Sequence, residues 1–222
     1  MNIFTDEKIA QEYDAYYTSD QGKIIDDLEK QAIIELMKPI NPGKMLEIGC
    51  GTGHWTELFS EMSFQITATD VSPVMMSQAK KKSIPNVIFL EADVCQLPFP
   101  DNYFDQVSTI TALEFCGNIP LAFSEIKRVL KPGGWLIIGS LNADSILGKT
   151  KDSDSVFKHA ELMTKPEFEH HLQTIGKPTI IESVLLSPEF EILDHSDKKD
   201  TVAGAFMAAT VQKTNVCTSP SK

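Results

Sequence analysis

The segment that most constrains the fold covers residues 46–53 and reads LEIGCGTG. Its first half continues an apolar run that predicts a short buried strand, and glycines then follow at three alternate positions. Glycine allows a tight turn and a close approach of a ligand to the backbone. Residues 54–59 read as a helix. This order of strand, glycine-rich loop and helix is typical of a nucleotide-binding site, although a turn that binds nothing would also use these glycines.

Two residues narrow the choice of nucleotide. His54 stands where the dinucleotide pattern G-x-G-x-x-G requires its third glycine. Glu47 precedes the loop, and its carboxylate would repel a pyrophosphate but suits a ligand that carries an ammonium and a sulfonium group. S-adenosylmethionine (SAM) is such a ligand. A nicotinamide-dependent oxidoreductase is the less favoured enzyme class.

Acidic residues end the next two predicted strands. Asp70 follows the strand 65–69 and lies 21 residues beyond Gly49, a spacing that favours hydrogen bonds to both ribose hydroxyls. Asp70 could also cap the helix that begins near Pro73. Asp93 follows the strand 86–90 and could accept from the adenine amine or serve as an ordinary turn residue.

The second half of the chain continues the alternation of strands and helices. Strand 104–110, helix 122–130, a Lys-Pro-Gly-Gly stop and strand 135–139 follow in order. Residues 164–175 then predict a helix, and residues 179–186 and 204–211 predict two strands separated by a long connection.

Four of these segments together resemble a known family. They are LEIGCGTG at 46–53, Asp70 with SPVMM after it, ADVCQLPFPDNYFDQV at 92–107 and RVLKPGGWLIIG at 128–139. The chain resembles the class I SAM-dependent methyltransferases, in the type 11 branch shared with ubiquinone/menaquinone biosynthesis. The resemblance spans most of residues 10–213. It implies an α/β fold, a Rossmann-like three-layer sandwich whose seven-stranded, mostly parallel sheet has an antiparallel last strand.

The resemblance also implies which residues contact the cofactor. The methionine part would lie on the glycine loop, with Thr111 near its amino-acid end, and Asp70 would hold the ribose. Val71 and Met75 would flank the adenine, and Asp93 and Val94 would contact its amine and ring edge. An N-terminal segment with Tyr13 would fold over the cofactor. Glu47 would meet the cationic end, directly or through water. The cofactor residues so implied are Tyr13, Glu47, Gly49, Cys50, Gly51, Asp70, Val71, Met75, Asp93, Val94 and Thr111. For Tyr16 and Tyr17, core packing is as good an explanation.

Methyl transfer from a sulfonium requires mainly that the acceptor atom be held close to and in line with the S-methyl bond. An oxygen or amine acceptor must still lose a proton. Glu114, after the fourth strand, and His159 are therefore the candidate catalytic bases, and simple surface exposure is the alternative for each.

The organisation expected from the sequence is one domain over residues 1–213. Residues 1–40 would form an N-terminal helical cover, residues 141–165 a substrate-side insertion, and residues 214–222 a disordered tail. The sequence lacks an apolar run of the roughly 20 residues that a membrane span requires and lacks signal-peptide features, so a cytoplasmic protein is expected.

Composition limits the partners. The formal net charge of -11 disfavours nucleic acid, which leaves a small-molecule acceptor. Four cysteines without C-x-x-C spacing and five histidines without ligand spacing predict no metal site. The chain is compatible with a monomer or a homodimer. A SAM-binding regulator or inactive partner subunit is the alternative outside the enzyme class.

Overall fold

A computed structural model describes residues 3–187, 191–193 and 203–214 of the chain. Seven strands form one sheet in the order β3-β2-β1-β4-β5-β7-β6. The strands are β1 (Lys44–Ile48), β2 (Gln65–Asp70), β3 (Val87–Glu91), β4 (Phe104–Ile110), β5 (Leu130–Leu141), β6 (Pro178–Ser183) and β7 (Phe206–Gln212). The helices are α1 (Glu7–Thr18), α2 (Asp20–Met37), α3 (His54–Glu61), α4 (Pro73–Lys81), α5 (Ile119–Val129), α6 (Ile146–Thr150) and α7 (Lys165–Gln173).

The strand directions match the sequence-based expectation. Strands β1 to β5 pair in parallel, whereas β7 runs antiparallel to both of its neighbours, β5 and β6. The predicted α/β fold with a seven-stranded, mostly parallel sheet and an antiparallel last strand is confirmed. From β1 the chain builds the sheet outward through β2 and β3, and it then returns to place β4 on the other side of β1. The order of strands therefore reverses at the boundary between β1 and β4, and folds of this kind bind ligands at such a reversal.

The two faces of the sheet are buried in two separate apolar cores. Leu46 and Ile48 face the core that includes α5 and α7, whereas Met45 faces the core that includes α2 and α3. Because successive side chains of a strand alternate between its faces, Glu47 points to the same side as Met45. A carboxylate thus enters the second core directly before the glycine loop.

Three element boundaries differ from the prediction for local reasons. Helix α5 begins at Ile119 rather than at residue 122, because Asn118 accepts a hydrogen bond from the Leu121 amide and caps it. Strand β5 already begins at Leu130, since a bulge opposite β4 accommodates the Lys-Pro-Gly-Gly segment. Strand β6 ends at Ser183 because Val184 adopts a φ of 58°.

The predicted N-terminal cover and the predicted insertion after β5 both contain helices and 3-10 turns. Before β1, a 3-10 turn (Ile3–Thr5) leads into α1 and α2. After β5 come α6 and two 3-10 turns, Lys151–Ser153 and Phe157–His159. The domain limits remain predictions. Of the predicted tail, residues 215–222 lie outside the described residues, as does most of the long connection before β7. None of the helices in the described part of the chain is both long enough and apolar enough to cross a membrane.

Candidate active site

A cavity of about 430 Å³ opens at the carboxyl ends of β1, β2, β3 and β4. Its floor consists of residues that directly follow or end these strands, within 48–51, 70–75, 92–94 and 111–116. Its cover consists of the 3-10 turn Ile3–Thr5 and helix α1, which contribute Phe4, Thr5 and Tyr13. The volume lies in the range of small-molecule sites. Nine of the eleven predicted cofactor residues line this cavity: Tyr13, Gly49, Gly51, Asp70, Val71, Met75, Asp93, Val94 and Thr111.

The glycine loop lies against the end of β4. Gly49 has a φ of +72°, and a Cβ at this position would lie 2.3 Å from the Cβ of Ala112. The amides of Gly49 and Cys50 both donate to the Thr69 carbonyl, at 2.7 and 2.9 Å. Only glycine satisfies both the left-handed backbone and the close contact, so position 49 fixes the shape of the floor.

Asp70 holds this loop from the end of β2. Its Oδ2 accepts from the Gly51 amide and its Oδ1 from the Ser72 amide, both at 2.8 Å. Burial raises the pKa of Asp70, and these backbone amides oppose the rise. The alternative role as a helix cap is wrong, because Ser72 is the N-cap of α4 and accepts from the Met75 amide. Each carboxylate oxygen keeps room for a further donor.

Asp93 and Thr111 line the cavity under local backbone constraints. Asp93 accepts from the Cys95 amide at 2.8 Å, so it forms a turn and lines the cavity as well. Thr111 has a φ of 48°, an uncommon conformation for a threonine, and its amide donates to the Gly139 carbonyl. Such strain at a cavity is typical of functional positions.

Apolar side chains complete the floor beside Asp70. Val71 lines the cavity and is 45% exposed. Met75 and Val94 line the same region and are buried. A flat apolar ring placed here would cover Val71, which is the position predicted for adenine.

The cover closes on the floor through the N-terminal turn. The Ser72 hydroxyl donates to the Phe4 carbonyl at 2.6 Å. The Phe4 ring meets the Phe115 ring edge to face, with centroids 4.9 Å apart, and lies 6.2 Å from the Tyr13 ring. An aromatic side chain of the cover, Phe4, thus contacts an aromatic side chain of the floor, Phe115.

Helix α1 is anchored beside the glycine loop. Thr52 donates to the Asp14 carboxylate, which also pairs with Lys82 at 2.9 Å. Tyr17 stacks on the His54 ring with centroids 3.7 Å apart, and the His54 Nε2 lies 2.7 Å from Asp26. The histidine that replaces the third glycine of the dinucleotide pattern therefore anchors the cover. The Tyr17 ring packs against it rather than into an apolar core.

Two predicted cofactor residues, Glu47 and Cys50, lie behind the cavity wall. Glu47 is 3% exposed, and burial raises its pKa to about 8, with Asp70 adding to the rise and the Thr56 hydroxyl opposing it. Cys50 is also buried, and burial raises the pKa of its thiol, which suits a small filler residue in the loop. Their contacts with the cofactor stay predictions.

The two catalytic candidates differ in position. Glu114 is 1% exposed, which makes the surface alternative wrong for it, and it lies between Leu113 and Phe115 of the cavity wall. Its Oε1 accepts from the Ser140 hydroxyl and the Leu141 amide, and burial raises its pKa. His159 is exposed in the insertion, and the structure does not bring it to the cavity wall. A catalytic role of either residue stays a prediction.

Sequence reasoning missed several wall residues. Ala92, Ala112, Leu113, Phe115 and Cys116 follow the ends of β3 and β4. Because ligands in such folds bind at the carboxyl ends of the strands, their place in the sequence could have indicated them. Phe4 had no such signal, since its position depends on a contact with Ser72 across 68 residues.

The charge of the cavity wall fits a cationic ligand better than a phosphate. Asp70 and Asp93 line it, while lysine, arginine and histidine are missing from its described lining. A pyrophosphate would find acidic side chains and no counter-charge. A nucleoside with a sulfonium and an ammonium group fits the carboxylate at the ribose position, the exposed Val71 and the glycine cradle. Among the described residues, histidine, cysteine, aspartate and glutamate side chains form no group of three or more that could hold a metal ion.

Comparisons with known proteins agree with this geometry. A methyltransferase domain model of type 11 matches residues 46–138. The uncharacterized protein MJ1123 of Methanocaldococcus jannaschii is 34% identical over 218 residues, which is 96% of this chain and all of that protein. The malonyl-[acyl-carrier protein] O-methyltransferase of Erwinia pyrifoliae is 32% identical over 123 residues, 54% of this chain and only 47% of that enzyme. The chain thus aligns with about half the length of this named relative.

A solved structure supports the fold. A SAM-dependent methyltransferase of Thermotoga maritima, described as a possible histamine N-methyltransferase, superposes with a TM-score of 0.70 at 22% identity and covers 93% of this chain and 97% of its own. Together with the four sequence segments, the matches confirm the resemblance. This chain belongs to the class I SAM-dependent methyltransferases, in the type 11 branch, whose methyl donor is S-adenosylmethionine.

Proposed function

We propose that the cavity binds SAM across its floor and that the protein transfers the methyl group to a small-molecule acceptor held under the cover. The observation that carries the proposal is that nine residues singled out from the sequence, spread from Tyr13 to Thr111, line one cavity. A tight turn without a ligand would not require the ends of four strands and an N-terminal helix to meet at the same place.

In this proposal the floor orients the cofactor. Asp70 accepts hydrogen bonds from the ribose, Val71 and Met75 flank the adenine, and the backbone of Gly49 and Gly51 lies against the methionine part. When bound, SAM supplies a methyl group on a positively charged sulfur. Asp70 already holds the Gly51 amide at 2.8 Å, so the cradle is formed before the ligand arrives.

The cover positions the acceptor. Phe4 and Tyr13 cover the cavity opposite the floor, and Phe4 contacts Phe115 of the floor edge to face. Transfer needs the acceptor atom in line with the bond from sulfur to the methyl carbon. The bond to the acceptor atom forms as the carbon–sulfur bond breaks, and the sulfonium becomes a neutral thioether. Aromatic side chains over the floor favour this alignment by limiting the positions that the acceptor can take.

Calorimetric titration with S-adenosylhomocysteine, the reaction product, tests the cofactor part, with NADH as the comparison ligand. We expect micromolar binding of S-adenosylhomocysteine alone. Asp70→Ala should weaken it by about 1.5 to 3 kcal/mol, roughly 10- to 150-fold, through loss of a charged hydrogen-bond acceptor. Binding of NADH alone, or of neither compound, would overturn the proposal.

Asp105→Ala is the matched control for Asp70→Ala. Asp105 also accepts from a backbone amide, that of Lys44 at 3.0 Å, and pairs with Lys131, but it lies at the amino end of β4, away from the cavity at the carboxyl ends of the strands. We expect this variant to lose some thermal stability and to keep its affinity for S-adenosylhomocysteine. Equal affinity of a folded Asp70→Ala protein and the unchanged chain would refute the ribose assignment.

A further inference from the structure

The glycine loop contacts both the floor and the cover of the cavity. On the floor side, the Gly51 amide donates to Asp70 at 2.8 Å. Thr52 and His54, which follow in the same segment, contact the helices of the cover instead. A single short segment therefore joins the proposed cofactor position to the cover.

His54 contacts both helices of the cover. Its ring stacks on Tyr17 of α1, with centroids 3.7 Å apart and planes 9° from parallel. Its Nε2 lies 2.7 Å from Oδ1 of Asp26 on α2, and both of these side chains are largely shielded from solvent. Burial by itself would raise the pKa of Asp26, but hydrogen bonds from His54 and Lys30 lower it below its ordinary value. The Asp26 carboxylate is therefore charged at neutral pH, and a hydrogen bond to a charged carboxylate is among the stronger ones in proteins.

Tyr17 connects His54 to the cavity. Tyr13 and Tyr17 lie one turn apart in α1, so both side chains are on the same face of the helix. Their ring centroids are 5.9 Å apart and their planes make an angle of 63°. Tyr13 lines the cavity, whereas His54 is not part of the described wall. The contact of His54 with Tyr17 therefore fixes the face of α1 that carries Tyr13 over the cavity.

A second contact reaches α1 from the same loop. The buried Thr52 hydroxyl donates to the carboxylate of Asp14, the residue that follows Tyr13. Asp14 also pairs with Lys82 at 2.9 Å. Because Lys82 still holds Asp14 when Thr52 is replaced, removal of the Thr52 contact should free α1 less than removal of the His54 contacts.

We propose that His54 is a positioning residue that couples the cofactor loop to the cover. A cofactor bound against Gly49 and Gly51 orders the loop and, with it, His54, which then holds Tyr13 over the ligand. The proposal rests on the proposed function and adds how the cavity retains its cofactor. Coupling of this kind is reciprocal: if the closed cover raises the affinity for the cofactor, the bound cofactor stabilises the closed cover by the same factor.

Amide hydrogen exchange of the full chain, followed by mass spectrometry, tests this coupling with S-adenosylhomocysteine as the ligand. We expect the ligand to slow the exchange of the α1 amides by about tenfold or more. His54→Ala should remove most of this protection. It should also raise the dissociation rate of S-adenosylhomocysteine, measured by stopped-flow fluorescence, by about tenfold, because a hydrogen bond to a charged group and a ring contact are lost.

Two further variants separate the contacts of His54. His54→Phe keeps a ring for Tyr17 but lacks a donor for Asp26, whereas His54→Gln keeps a side-chain donor but lacks the ring. We expect each variant to give a dissociation rate between that of the unchanged chain and that of His54→Ala.

His171→Ala is the matched control. The His171 ring also stacks on an aromatic ring, that of Phe123, with centroids 4.9 Å apart. It lies on α7, however, and outside the described cavity wall. We expect this variant to lower the free energy of unfolding, measured with urea, and to leave both the α1 exchange and the dissociation rate unchanged.

The outcomes separate the two proposals. Failure of the unchanged chain to bind S-adenosylhomocysteine would refute the proposed function itself. If the ligand binds but α1 gains no protection, or if His54→Ala keeps both the protection and the slow dissociation, His54 does not couple the loop to the cover. An equal effect of His171→Ala would trace the result to a general loss of stability and overturn the proposal as well. Should His54→Ala fail to fold, unchanged dissociation rates in both His54→Phe and His54→Gln would overturn it.

Discussion

The floor and the cover of the cavity are held by different kinds of contact. The floor consists of backbone turns at strand ends, fixed by hydrogen bonds such as that from the Gly51 amide to Asp70 and by the contact of Gly49 with Ala112. The cover is held by side chains: Phe4 on Phe115, Tyr17 on His54 and Asp14 on Thr52. We therefore expect the floor to tolerate substitution poorly and the cover to open at a lower free-energy cost than unfolding of the sheet.

The largest effect should come from Gly49→Ala in the floor. Alanine in a left-handed conformation costs about 1 to 2 kcal/mol, and the forced contact with Ala112 adds about 1 to 3 kcal/mol. We expect the free energy of unfolding, measured with urea, to fall by about 2 to 5 kcal/mol. Binding of S-adenosylhomocysteine should be lost as the loop moves.

Gly117→Ala separates strain from contact. Gly117 has the same φ of +72°, but nothing lies within 4 Å of the position of its Cβ. This variant should lose only the strain, about 1 to 2 kcal/mol. Ala112→Gly added to Gly49→Ala should recover the contact part of the loss. If Gly49→Ala lowers the free energy of unfolding no more than Gly117→Ala does, the floor is not rigid around position 49.

The difference between floor and cover also explains which site residues could be predicted from the sequence. Gly49, Asp70 and Asp93 occupy set places relative to predicted strands, so sequence spacing was enough to bring them to one site. Phe4 and the role of His54 depend on how α1 folds back over the sheet, and no local pattern encodes such a contact. Glu47 lies behind the wall because the alternation of β1 directs its side chain into the second core.

The second prediction concerns pH and Glu47. Its folded-state pKa of about 8 lies above the ordinary 4.5, so the protonated form stabilises the fold below about pH 4.5 and this contribution is lost as pH rises through 8. The shift corresponds to about 5 kcal/mol at most. Between pH 5 and 8, the free energy of unfolding of the ligand-free protein, measured with urea, should therefore fall more steeply than that of the Glu47→Gln variant.

Glu29 provides the comparison from the region of the cover. Burial and neighbouring carboxylates also raise its pKa to about 8, but its side chain is less completely buried than that of Glu47. Water can then screen its charge, and we expect Glu29→Gln to change the pH dependence of stability less than Glu47→Gln does. A larger change for Glu29→Gln would mean that the cover is the more tightly packed region.

The smallest effect should come from Phe4→Ala in the cover. The edge-to-face pair with Phe115 contributes about 0.5 to 1.5 kcal/mol, so its loss should raise the dissociation rate of S-adenosylhomocysteine by up to about tenfold, as measured by stopped-flow fluorescence. The free energy of unfolding should change little, because the sheet keeps all its contacts. Phe99→Ala removes a similar pair, with Phe104 at 5.0 Å, away from the cavity. The Phe99→Ala variant should give the reverse result, a less stable protein with an unchanged dissociation rate. If S-adenosylhomocysteine dissociates from Phe4→Ala as slowly as from the unchanged chain, the cover does not retain the ligand.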